Sequence, residues 1–189
     1  MNKDIIYIYI LCSVIIICFL FTSYFRREEP LLLRVSNNDT LYAPSYGTLK
    51  HIIYNDKKNT LFLAFFLSPL DIHYQYIPIN GLFLNTIYDA TGKYNLAFQL
   101  NKSNDNEKAI HYIKTQHGII TIYQICGFLT RRIRYDIKPN QSVISGQRLG
   151  IIKLGSRVDI IIPNARSFIL KVKLNESVYG SNSKIGYWN

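Results

Sequence analysis

Acidic residues are in short supply: 12 Asp and Glu stand against 22 Lys and Arg, a formal charge of +10 over 189 residues. Cysteine is scarcer still. Only three occur, and Cys12 and Cys18 lie inside an apolar N-terminal run, which excludes both a disulfide scaffold and a Cys-rich zinc module. The ten Gly and six Pro are scattered, and 48% of the residues are hydrophobic, so collagen, low complexity and disorder are excluded as well. The length leaves room for one or two small domains. The only tight basic cluster is Arg131–Arg134 (RRIR), with no helix-turn-helix, zinc-finger or RNP pattern beside it, so nucleic acid is not an expected partner.

What the chain does have is a run of 21 residues without a charge, Ile5 to Phe25. As a helix it would be about 31 Å long, enough to cross a bilayer core. A cleaved signal peptide is the rival, but its apolar region is shorter and ends in small residues, whereas this run ends in Tyr24 and Phe25. One N-terminal membrane anchor is therefore expected, with a charged linker completing residues 1–30 and a folded body over 31–189. Arg26 and Arg27 favour a cytoplasmic body. Since Lys3 and Asp4 cancel, the whole positive charge belongs to that body, and an anionic lipid surface is its simplest partner.

Beyond the linker, short β-branched and aromatic stretches alternate with turn residues, which predicts a mostly β body. Expected strands are 31–35, 49–54, 60–67, 81–88, 94–99, 118–125, 132–137, 148–154, 158–162 and 167–173; a turn or two of helix is expected near 104–111. One internal echo stands out: Ile137-Lys-Pro-Asn-Gln-Ser-Val143 recurs as Val172-Lys-Leu-Asn-Glu-Ser-Val178. Each copy reads as a strand entering a turn, and the pair resembles the hairpins of lipoyl/biotinyl-like barrel-sandwich domains. No lysine sits in the tight hairpin that lipoyl or biotin attachment needs.

The chemistry-bearing blocks are Ser68-Pro-Leu-Asp-Ile-His73, Thr91-Gly-Lys-Tyr94, Asn101-Lys-Ser-Asn-Asp-Asn-Glu-Lys108, Gln124-Ile-Cys-Gly127 with Arg131-Arg132-Ile133, and Gln147-Arg-Leu-Gly-Ile-Ile-Lys-Leu-Gly-Ser-Arg-Val-Asp159. In order and spacing they resemble the phosphatidylserine decarboxylases, specifically the short archaeal-type branch, over about residues 42–186. That resemblance implies a phosphatidylserine-decarboxylase-like β fold and a pyruvoyl cofactor made from the chain itself. Cleavage would fall between Gly155 and Ser156, giving a β chain of residues 1–155 and an α chain of 156–189 that starts at the pyruvoyl derived from Ser156. A serine hydroxyl next to a strained Gly-Ser peptide can attack the preceding carbonyl, and glycine, having no Cβ, permits the twisted backbone and close approach that this attack requires. The pyruvoyl carbonyl then serves as the electron sink for decarboxylation.

His73 is the expected proton donor, with an ordinary pKa suited to neutrality. Asp71, two residues earlier on an extended segment, is expected to orient that imidazole. The resemblance also assigns Arg131 and Arg132 to the substrate's phosphate or carboxylate. His51, His111 and His117 lie outside every block and read as surface or turn residues; no metal site is expected. The implied partners are a phospholipid membrane, phosphatidylserine and the paired α and β chains, with homo-oligomer formation left open.

Departures from the family pattern are specific. Where it has P-A-D-G this chain has Pro44-Ser-Tyr46-Gly47, where it has P-V-D-G this chain has Pro78-Ile-Asn80-Gly81, and Tyr76 takes the place of a second histidine found in the long bacterial branch. Ser156, His73 and Asp71 still allow a triad-like set. Two alternatives therefore stand beside the lipid decarboxylase: an unprocessed, inactive relative binding lipid surfaces through its basic face, and a decarboxylase of another serine-headgroup lipid or of an amino acid.

Overall fold

In the computed structural model, residues 3–25, 27, 30, 32–35, 38–128, 132–152 and 155–189 are described. The uncharged run forms α1 (Lys3–Phe25), whose apolar side chains are exposed on all sides and which is long and apolar enough to cross a membrane. A helix apolar all round has no water-facing stripe.

The body is built from short antiparallel strands. Eight form one sheet in the order β13 (Ser177–Val178), β2 (Gly47–Asn55), β3 (Thr60–Leu67), β11 (Ser156–Pro163), β7 (Gly118–Ile125), β6 (Lys108–Thr115), β5 (Gly81–Asp89), β9 (Gln141–Val143). Two three-stranded sheets accompany it: β1 (Thr40–Tyr42), β14 (Lys184–Trp188) and β12 (Phe168–Leu170); and β4 (Tyr74–Tyr76), β10 (Arg148–Ile152) and β8 (Ile133–Tyr135). Strand β11 lies in the middle of the large sheet, and its first five residues are all buried. A strand covered on both faces must read as nearly continuous hydrophobics, as Val158 to Ile162 does apart from Asp159. Leu63, Phe65, Ile113, Ile122, Val158 and Ile160 belong to the large core that results.

The internal echo has a structural counterpart at the two edges of this sheet. Asn140 and Asn175 both adopt left-handed backbone, φ 61° and 66°, a conformation asparagine tolerates better than most residues. Their N–H groups donate to the carbonyls of Phe83 and Leu49, and each of those residues begins a β-bulge in its strand. Gln141 and Glu176 each close the turn by accepting from the backbone N–H of Lys138 and Lys173. The repeated segments thus cap opposite edges of one sheet, leaving neither edge as a long unpaired strand.

Some expected elements differ. Residues 94–99 are not a strand: the Asn95 N–H goes to the Asn106 side chain, the Gln99 carbonyl accepts from Ser103 at the start of a single helical turn, α2 (Leu100–Ser103), and no ladder is left for them to join. The helix expected near 104–111 gives way to β6, because Ala109, His111 and Ile113 alternate inward with period two. Among the described residues of 31–35 only Arg34 makes a bridge, to Ser145. The end of the 148–154 strand lies outside the described residues at 153 and 154.

Candidate active site

After β3 the chain turns sharply through Ser68–Asp71. Asp71 closes that turn, its N–H donating to the Ser68 carbonyl (2.9 Å) while its carboxylate accepts from the Ser68 N–H (2.7 Å). Burial raises the Asp71 pKa, opposed by this hydrogen bond and by the nearby Arg27 guanidinium. Ile72 then packs with Tyr46 and Tyr76, and the alternation of the extended chain directs His73 into the interior, where it is fully buried.

Nδ1 of His73 lies 2.7 Å from the Asp71 carbonyl, and Nε2 lies 3.2 Å from the N–H of Gly155. A carbonyl only accepts and an amide N–H only donates, so the proton sits on Nδ1 and the Nε2 lone pair faces the Gly155 amide. Burial lowers the His73 pKa to about 4, so the ring is neutral at physiological pH. The expected Asp71–His73 relationship therefore exists through the Asp71 backbone, while its carboxylate serves the turn.

Gly155 has φ +63°, and a Cβ placed on it would meet nothing within 4 Å among the described residues. Glycine is needed here for its left-handed backbone, not for space. Ser156 follows as the first residue of β11, opposite Leu67, and is fully buried. Its Oγ has no hydrogen-bond partner among the described residues. An unpaired buried hydroxyl is costly and is retained where it has a use.

The blocks quoted above converge on this point. Asn106 donates to the carbonyls of Cys126 (2.7 Å) and Asn95 (2.8 Å) and accepts from the Asn95 N–H (2.8 Å). Burial, with Glu107 nearby, raises the Cys126 thiol to about 12, so it stays protonated. Arg157, next to Ser156 and almost fully buried, pairs with Asp159 at 2.9 Å. It also donates to the Leu100 carbonyl (3.1 Å), Ser103 Oγ (2.5 Å) and Asn104 Oδ1 (2.6 Å). Burial raises the Asp159 pKa to about 6, with Arg157 opposing. Next to Gly155 lies an apolar cavity of about 230 Å³ lined by Phe66, Pro69, Leu96, Ala97, Phe98 and Phe128.

The reading of His111 is corrected. It is fully buried and belongs to a hydrogen-bonded chain: Thr86 Oγ1 to His111 Nδ1 (2.8 Å), His111 Nε2 to Gln124 Oε1 (2.7 Å), Gln124 Nε2 to Gln75 Oε1 (2.6 Å), and Gln75 Nε2 to the His73 carbonyl (2.8 Å). The period-two pattern of β6 was the signal that would have placed it inside. His117 stacks on Trp188 and pairs with Asp39, and His51 lies on β2. Arg132 is exposed just before β8, and Arg131 lies outside the described residues. Tyr46 is buried, its ring close to those of Tyr76 and Tyr179. Arg27, just past α1, donates to the Leu70 carbonyl at 2.7 Å, tying the end of the helix to the Ser68–Asp71 turn.

The body is thus mostly β and buries a serine behind a left-handed glycine, with a neutral histidine on that glycine's amide. The phosphatidylserine decarboxylase family model matches residues 28–186, and the chain belongs to that family of carboxy-lyases. It is 36% identical to a phosphatidylserine decarboxylase proenzyme of Chlorobaculum parvum over 80% of this chain and 72% of that protein. A Wolbachia phosphatidylserine decarboxylase proenzyme is 31% identical over 97% of this chain and 89% of its own length. A Methanocaldococcus jannaschii proenzyme, provisionally named for archaetidylserine decarboxylation, is 30% identical over 88% and 89%.

Proposed function

We propose that this chain is the precursor of a pyruvoyl-dependent decarboxylase that cuts itself between Gly155 and Ser156 and then converts phosphatidylserine to phosphatidylethanolamine and CO2. The observation that carries this reading is the buried, unpartnered Ser156 hydroxyl directly after Gly155, whose amide is held by His73. In self-cleavage, Ser156 Oγ bonds to the Gly155 carbonyl carbon, the Gly155–Ser156 C–N bond breaks, and the hydroxyl proton passes to the departing nitrogen. Loss of the Ser156 α proton and of the Gly155 carboxylate from Cβ leaves dehydroalanine, and water turns this into a ketone with release of ammonia. The neutral ring of His73, with Nε2 against the Gly155 amide, supports its role in holding and returning these protons.

Once formed, the pyruvoyl carbonyl supplies an electrophile for the substrate amine and a sink for the electron pair that departing CO2 leaves behind. His73 Nε2, which carries no proton in the neutral ring, would take one up from the substrate's ammonium group and pass it to the carbon that loses CO2. Asp71 acts on it by closing the turn and presenting its carbonyl to Nδ1. Arg132, with Arg131 beside it in sequence, suits the substrate phosphate, since a guanidinium can hold two oxygens at once. The apolar cavity beside Gly155 favours a lipid over a free amino acid, because it offers hydrocarbon a dry wall. A phosphatidyl or an archaetidyl lipid meets that requirement equally. The α1 anchor, linked to the site through Arg27 and Leu70, keeps the body at the bilayer holding the substrate, and Arg26 and Arg27 favour its cytoplasmic face.

Tyr46 favours a second reading, an unprocessed lipid-surface module, because aromatic packing stands where the resemblance puts an acid. Intact-mass measurement of the purified protein separates the two. The expected result is a fragment of residues 156–189 with a pyruvoyl terminus, absent from Ser156→Ala. A folded wild type that stays a single 22.0 kDa chain overturns the decarboxylase reading.

A further inference from the structure

The Gly155 carbonyl is the group that Ser156 must attack, and its oxygen faces Gly127. A methyl carbon built on Gly127 would fall deep inside the contact radius of that oxygen and 2.9 Å from the Gly155 carbonyl carbon, with the Ala97 side chain at 3.3 Å on another side. Gly155 itself has open space, among the described residues, where a Cβ would go. The requirement for a bare α-carbon on steric grounds therefore belongs to Gly127, 28 residues upstream of the bond that breaks. Gly127 has no positive φ, so its identity is not explained by backbone conformation.

The segment that carries Gly127 is held firmly. Asn106 grips the Cys126 carbonyl, and the Cys126 N–H donates to the Glu107 carbonyl at 2.9 Å. Asn106 is in turn packed under Gly92, where a Cβ would overlap the 106–107 backbone. The carboxylate of Glu107 accepts from the hydroxyls of Tyr88 and Tyr94. Each contact fixes the height at which Gly127 meets the Gly155 carbonyl.

Resting on the proposed self-cleavage, we infer that Gly127 is a positioning residue for it: a seat, set by Asn106, that holds the Gly155 carbonyl in reach of Ser156 Oγ. The seat acts before any bond is broken, on the geometry of the acyl shift alone. A displacement of about 1 Å in a reacting group can cost on the order of 10²-fold in rate. Adding a methyl at Gly127 demands at least that much movement from a carbonyl already in contact.

The test follows self-cleavage of the full chain by intact mass, with and without hydroxylamine. Hydroxylamine attacks the ester formed by the acyl shift, giving a Gly155 hydroxamate and freeing the Ser156 hydroxyl, so it reports the shift even where elimination is slow. For Gly127→Ala, cooperatively folded, cleavage is expected to slow by about 10²-fold or more, with no hydroxylamine-released fragment. Wild-type cleavage in Gly127→Ala overturns the inference, and so does a normal yield of fragment with hydroxylamine, since the block would then lie after the shift. Should Gly127→Ala fail to fold, Asn106→Ser carries the test: at least tenfold slower cleavage in a folded chain supports the seat, and an unchanged rate overturns it. Absence of cleavage in the wild type would instead remove the proposed function on which the inference rests.

Discussion

The Nδ1 atom of His73 is held by the backbone carbonyl of Asp71 at 2.7 Å, and this one contact fixes which nitrogen of the ring faces Gly155. The Asp71 carboxylate meanwhile accepts the Ser68 N–H. Orientation of the imidazole is thus a property of the backbone trace through the turn, which any side chain able to close that turn preserves.

Asp71→Asn follows directly. An asparagine Oδ1 accepts from the Ser68 N–H as a carboxylate does, so self-cleavage is expected to stay within about threefold of wild type, about 0.7 kcal/mol on the barrier. Asp71→Ala, which opens the turn, is expected to slow it more than tenfold. A mass time course compares the two. Loss of several orders of magnitude in Asp71→Asn would mean that the charge itself takes part.

Acid sensitivity is expected from the two buried imidazoles. His73 and His111 have pKa values lowered from 6.5 to about 4 by burial. Between those limits the unfolded chain binds more protons than the folded one. The stabilisation from neutral burial is therefore complete above about pH 6.5 and is lost as pH falls toward 4, on the order of 3 kcal/mol for each group. Urea unfolding midpoints at pH 7.5, 6, 5 and 4.5 should fall steadily, and His111→Gln, if folded, should flatten the decline.

Restoring the missing acid is not expected to help. Tyr46 is buried against aromatic rings, and carbons of its ring would lie 2.7 and 2.9 Å from a Cβ on Gly180. Tyr46→Asp replaces that packing with a cavity and a carboxylate in apolar surroundings, which should destabilise the body by about 3 kcal/mol or more. Calorimetry should record a lower unfolding temperature, with self-cleavage no faster than wild type. Faster cleavage at unchanged stability would show that the acid's place remains open.

The sequence by itself determined the N-terminal helix, since 21 uncharged residues specify a membrane-length apolar helix without reference to any neighbour. It also determined the β class and the paired turns at Asn140 and Asn175, because side-chain alternation and left-handed asparagine are local properties. Its ordered blocks picked out His73, Gly155 and Ser156 as a set. The helix expected near 104–111 failed because a polar, charged stretch obscured the period-two burial of Ala109, His111 and Ile113.

Only the tertiary structure decided which atoms meet. The Asp71 carbonyl rather than its carboxylate reaches His73, Arg157 turns inward to the 100–104 turn, and His111 joins Gln124 and Gln75 beneath the His73 backbone. Gly127 is the sharpest instance: nothing local requires glycine there, and its need for a bare α-carbon comes from a carbonyl brought against it by the pairing of β11 with β7. Local sequence specifies backbone conformation and the direction of a side chain. Close approach between segments far apart in the chain is set by strand order and register, which no single segment contains.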